Sequence, residues 1–107
     1  MAITVTTSYG GGTITAGKTA IHISSTELPA NTLTGYDADI YPSSPQVTYY
    51  FSAELAGQDS ARSQVFAPNG GKGYWDGWIP PAVGTWAVHV RATADDSSLA
   101  NASVEAV

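Results

Sequence analysis

The chain has 107 residues, room for one domain and too few for two ordinary ones. It contains no cysteine, which excludes disulfides and thiolate metal sites, and it carries four basic residues against nine acidic ones. Those four, Lys18, Arg62, Lys72 and Arg91, are scattered, so no cationic footprint exists for nucleic acid or for an anionic membrane surface.

Hydrophobic residues make up 43% and charged residues 12%, the composition of a chain that folds. At this length roughly 65% of the unfolded surface can be buried, so a core without covalent staples is feasible. The start, "MAITVTTSYGG", has neither a basic n-region nor an apolar h-region, so it does not read as a secretory signal. No apolar run approaches the ~20 residues of a membrane span. Those two features predict a product that stays in the cytoplasm where it is made.

Helical periodicity is absent, and short alternating runs are separated by turn residues. Residues 3–7 alternate, with Ile3 and Val5 on one side and Thr4 and Thr6 on the other. Glycines at 10–12 break the run, a short extended piece follows at 13–15, and "AGK" reads as a turn. Residues 19–24 place Ile21 and Ile23 together and His22 opposite. Residues 25–35, "STELPANTLTG", read as a long loop, a candidate for function or for a crossing between sheets. Residues 36–41 read as an edge strand whose Asp37 and Asp39 discourage edge-to-edge aggregation.

Residues 47–55 are the clearest strand: Val47, Tyr49, Phe51, Ala53 and Leu55 share one face, Thr48, Tyr50, Ser52 and Glu54 the other. "AGQDS" then reads as a turn, 62–67 as a weaker strand, and "PNGGKG" as an Asn-Gly type of hairpin turn. Residues 74–79 are extended, "PPAVG" turns, and 85–94 aligns Trp86, Val88, Val90 and Ala92. "DDSS" turns again, and 99–107 aligns Ala100, Ala102, Val104 and Ala106. Seven to nine strands at about ten-residue spacing predict two packed sheets with Greek-key connections.

All three tryptophans fall in "GYWDGWIPPAVGTW". Trp86 shares its face with Val88 and Val90 and belongs to the core. Trp75 and Trp78 are three apart, so in a flat strand they lie on opposite faces. Trp78 is then the buried one, and Trp75, with Tyr50, the surface aromatic. A bulge at Asp76-Gly77 would shift that parity.

Residues 73–107 resemble the last three strands of bacterial and phage immunoglobulin-like domains. The likeness runs through Trp78, Pro80, Gly84, Trp86, Val88, Val90, Ala94, Asp95, Ala102 and Val104. These form an aromatic strand leading to proline, a turn ending in glycine, aromatic-x-Val-x-Val, an Ala-Asp turn and a final Ala/Val strand. The cysteine pair of antibody-type domains is absent, so the likeness is to the cysteine-free branches. The resemblance implies an all-β, immunoglobulin-like Greek-key β-sandwich of one domain, and a role in adhesion, in spacing, or as an accessory of phage capsids and tails.

Reactive chemistry is not predicted. His22 and His89 fall on outward faces without a third ligand. No serine sits in Gly-x-Ser-x-Gly, and no glycine run precedes a helix. Asp37, Asp39, Asp95 and Asp96 read as solubilising charges rather than calcium ligands. No catalytic residue, cofactor or metal is expected. The expected function is that of a non-enzymatic structural protein of a phage particle, a capsid decoration (head accessory) protein located on the virion. Its partner would be the phage major capsid protein or another virion protein, and it would act as a homo-oligomer. The alternative is an adhesion or carbohydrate-binding module of a larger surface protein. The residues predicted to meet the partner are Ile3, Val5, Tyr9, Leu28, Pro29, Leu33 and Trp75.

Overall fold

Eight strands account for most of the residues that the computed structural model describes, which are 2–9, 12–29 and 47–107. In chain order they are β1 (Thr4–Thr7), β2 (Thr13–Ile14), β3 (Ile21–Thr26), β4 (Tyr49–Leu55), β5 (Gln58–Arg62), β6 (Gly73–Trp78), β7 (Gly84–Ala92) and β8 (Ser98–Ala106). None of the described residues is helical. The expected strand at 36–41 and the candidate residue Leu33 lie outside the described residues.

Two sheets form a sandwich-like arrangement. One is three-stranded, in the order β1-β3-β6; the other is five-stranded, in the order β2-β8-β7-β4-β5. All neighbours are antiparallel except β2 and β8, which run parallel. The chain therefore changes sheets between β1 and β2.

Period-two alternation builds the core, because every second residue of each strand turns inward. Val5, Ile21 and Ile23 come from the small sheet, and Tyr49, Phe51, Ala53, Trp86, Val88, Val90, Val104 and Ala106 from the large one. Trp86 is only 1% exposed, as its parity predicted. Phe66 packs onto this core from outside the strands, stacked on Phe51 at 5.4 Å.

Three expectations are corrected. The first concerns the segment after β4. "AGQDS" is not a broad turn: only Ala56 and Gly57 turn, with φ of 54° and 79°, and Leu55 pairs directly with Gln58. This is a two-residue hairpin with positive φ at both central positions. The strand therefore falls at 58–62 rather than 62–67, and of the later segment only Phe66 makes a bridge, to Tyr49. A polar edge strand without apolar alternation gives no periodic signal. Alanine is strained in the left-handed region, and asparagine tolerates it. Ala56→Asn should therefore stabilise the chain by about 1 kcal/mol, read as a raised denaturation midpoint with an unchanged slope.

The second correction is Tyr50, which faces outward as expected but is only 5% exposed. Its hydroxyl donates to Asp96 Oδ1 at 2.7 Å, and the Arg62 guanidinium lies 5.2 Å above its ring. Long side chains from neighbouring strands roof over the ring, so it is not a surface aromatic.

The third is the geometry of Trp75 and Trp78. Trp75 stands opposite Ile23 and Trp78 opposite Ile21, and both isoleucines are buried. Directly opposed residues share a face, so both indoles point inward. The register shifts between Ile21 and His22, and Gly77, with φ of 79°, is the inserted residue. Opposite faces would have required an unbroken strand.

Candidate binding surface

The bulge at Gly77 lines up the three indoles. Trp75 and Trp78 stack at 5.0 Å with 22° between planes, and Trp78 meets Trp86 edge-on at 5.3 Å. The row runs from the fully buried Trp86 to the partly buried Trp75 at the margin of the sandwich. The aromatic-rich segment thus belongs mainly to the core, and only its outer end reaches the surface.

The same bulge leaves Tyr74 and Asp76 on the outer face of the three-stranded sheet. Tyr74 is 57% exposed. Its ring lies 5.4 Å from that of His22, whose Nδ1 is 3.3 Å from Asp76 Oδ1. Beside them run hydroxyl pairs across β1 and β3: Thr4 with Thr26 at 2.6 Å and Thr6 with Ser24 at 2.9 Å. The face is flat, polar and rich in hydroxyl groups, with one prominent ring.

An open groove of about 430 Å³ lies along the other side of β6. It is bounded by residues 62–66 on one wall and 74–76 on the other. Val65, 60% exposed, and the partly buried Phe66 and Trp75 supply its apolar surface.

The outer face of the five-stranded sheet is built differently. Arg91 donates from Nε to Ser52 Oγ at 2.9 Å, from Nη1 to Asp96 O at 2.8 Å and from Nη2 to Glu54 Oε1 at 2.8 Å. His89 shares a 2.7 Å hydrogen bond with Ser98 Oγ through Nδ1. Its Nε2 sits 3.4 Å from Glu54 Oε1, close enough for charge contact but outside hydrogen-bond geometry. His89 is therefore a member of a packed polar network, not a solvated surface histidine. In the turn beyond, the hydroxyl and the backbone N–H of Ser97 bond to the Asp95 carboxyl and hold it below the usual carboxylate range.

Tyr50 gives this face an alkaline signature. Burial raises its pKa first of all, and the hydrogen bond to Asp96 and that carboxylate's charge add to the rise, against Arg62 and Arg91. A phenol whose folded-state pKa lies above its unfolded value contributes stability below about pH 10 and loses it as the pH climbs through the folded value. Tyr49 behaves likewise, through burial alone. Stability should thus fall on the alkaline side of about pH 10, and Tyr50→Phe should flatten that fall. Identical alkaline profiles for the two proteins would rule Tyr50 out as a source.

The residues predicted to meet a partner are dispersed. Val5 is 8% exposed and Leu28 3%, both within the core cluster, so neither presents a side chain to a partner in this conformation. Ile3 packs partly against the same core. Tyr9 is exposed, and Pro29 is exposed with its carbonyl accepting from the Tyr49 hydroxyl at 2.6 Å. Trp75 is partly buried at the groove. Tyr74 and Val65, the most accessible large side chains beside β6, were not anticipated. Tyr74 could have been found by following alternation from the core-facing Trp75.

Among the described residues no three His, Asp or Glu side chains gather as metal ligands. His22 and His89 stand on different sheets. Comparison with family models, with curated proteins and with solved structures finds no match to this chain.

Proposed function

We propose that the chain is a non-enzymatic, immunoglobulin-like Greek-key domain that serves as a capsid decoration protein of a phage particle, bound to the capsid surface. The strand order supports the immunoglobulin-like part of this reading, and the resemblance of residues 73–107 supports the phage part. In this reading β1, β3 and β6 would correspond to strands A, B and E of that fold, and β4, β7 and β8 to C, F and G. β2 lies parallel to β8 as a second half of the first strand, and β5 extends the larger sheet as C′. The run from Trp78 through Pro80, Gly84 and Trp86 to Val104, which resembles the cysteine-free phage and bacterial branches, falls on β6, β7, β8 and the turns between them. The partner in this reading is the major capsid protein or another virion protein, with several copies clustered on the symmetric particle surface.

The deciding experiment is to purify virions from cells that carry the encoding gene and to measure the chain in them by quantitative mass spectrometry. A fixed copy number that follows the particles through a density gradient is expected. Its absence from intact particles would overturn the reading.

The exposed Tyr74 ring beside His22, Asp76 and the hydroxyl pairs favours a second reading, a carbohydrate-binding or adhesion module. In that case a glycan array gives signals that Tyr74→Ala abolishes. An array without such signals excludes it.

A further inference from the structure

The backbone of β6 has an open side. Ser8 N donates to His22 O at 2.9 Å, and His22 N donates to Ser8 Oγ at 3.0 Å. His22 therefore turns its backbone groups toward β1. Alternation along β3 turns those of Ile23 and Ser25 toward β6, where they face Trp75 and Gly73. The N–H and C=O groups of Tyr74 and Asp76 then point away from β3. Among the described residues β3 is the only strand beside β6, so these groups meet no other strand.

The groove lies along this open side. Its walls are runs of consecutive residues, 62–66 and 74–76. Consecutive residues of an extended chain alternate between faces, so a cavity touching all of them views both walls edge-on. The bulge at Gly77 breaks the regular ladder and confines the regular free edge to the start of β6. Val65, Phe66 and Trp75 provide apolar contacts for side chains entering between the sheets. The half-exposed Arg62, which also pairs with Asp59 at 3.3 Å, and the exposed Asp76, 3.3 Å from His22, put groups of opposite charge on the two walls.

We infer that this seam receives an extended polypeptide segment of a partner protein, which adds to the β6 edge through Tyr74 and Asp76 and seats apolar side chains at alternate positions against Val65, Phe66 and Trp75. Main-chain pairing supplies the affinity and the alternate pockets the specificity. A segment with an acidic group near Arg62 and a basic group near Asp76 fits the charges. The inference rests on the chain being a protein-binding domain and names how it would hold its capsid partner.

The test pans an unbiased display library of linear peptides on the purified chain and synthesises the enriched sequences. Those peptides should carry apolar residues at every second position, shift the tryptophan emission on binding, and slow hydrogen exchange at the amides of Tyr74 and Asp76. Val65→Asp, at an exposed position that the fold tolerates, should weaken binding about tenfold, and Thr85→Ala on the other sheet should leave it unchanged. No enrichment, or protection confined to other strands, overturns the inference. So does self-association that Val65→Asp abolishes, which would assign the seam to a second copy, or glycan binding lost in the same variant, which would assign it to a saccharide. Absence of the chain from virions would defeat the decoration role while leaving a peptide result standing, so the two failures are separable.

Discussion

Trp86→Ala should cost about 4 kcal/mol of folding stability, the range for deleting a buried tryptophan with partial relaxation of the cavity. The indole is fully buried near the start of β7, the middle strand of the larger sheet, with Leu55 opposite it on β4 and Val104 on β8. Trp78 rests edge-on against it, and the Trp86 Nε1 donates to Ala82 O at 2.9 Å, pinning the turn between β6 and β7. Removing it takes away the floor of the aromatic row and the anchor of that turn together. Most of the cost is the cavity, because Ala82 is exposed and water can satisfy its carbonyl. A domain of this size has a total stability of about 5–15 kcal/mol, so the variant stands near the threshold of unfolding. Trp75→Ala, at the partly buried end of the row, should cost about 2 kcal/mol. Urea unfolding followed by circular dichroism measures both. Equal losses for the two variants would contradict the deeper burial of Trp86.

That pair of variants also separates what was legible in the sequence from what was not. Trp86 could be placed because Val88 and Val90 repeat its parity over a long strand, and alternation is a local property. Tyr49, Phe51 and Ala53 were legible for the same reason. The stacking of Trp75 on Trp78 was not, since it depends on whether Gly77 continues the strand or inserts into it, and glycine suits both. The register of β3 against β6 decides that, and register is a long-range property. Tyr50 reads as exposed from its strand alone. It is buried by Arg62 and Asp96, side chains from another strand and a distant turn. β5 escaped because an edge strand with few apolar residues has no inward face to announce it. The groove beside β6 joins residues 62–66 to residues 74–76, and no pattern within either segment signals that they meet. Local rules thus recovered the strand centres of the core but not Val5, Leu28 or Trp75, and the surface that could hold a partner emerges only where strands from separate parts of the sequence come together.

Arg91→Ala should be the most damaging change on the outer face of the large sheet, at about 3 kcal/mol. The guanidinium spends its donors on three acceptors in two elements: Ser52 and Glu54 of β4, and the Asp96 carbonyl in the turn after β7. Without it the Ser52 hydroxyl, fully buried, loses its donor, and the Glu54 carboxylate is left with His89 Nε2 at 3.4 Å and no hydrogen bond from it. Glu54 retains 22% exposure, so water recovers part of its solvation and the cost stays at the lower end for a broken buried ion pair. Lysine preserves the charge but not the planar fork that reaches three acceptors, so Arg91→Lys should still cost about 2 kcal/mol. If the network is the cause, Glu54→Gln in the Arg91→Ala background should cost less than in the native chain, with a coupling of about 1 kcal/mol. Additive effects, or a lysine variant as stable as the parent, would mean that the arginine acts by packing its aliphatic stem alone. A coupled network would mean that this sheet closes over its own outer face with internal hydrogen bonds, which leaves its donors and acceptors already engaged. The β6 edge and the hydroxyl-lined face beside it, by contrast, keep exposed polar groups among the described residues, which is where the proposed partner would bind.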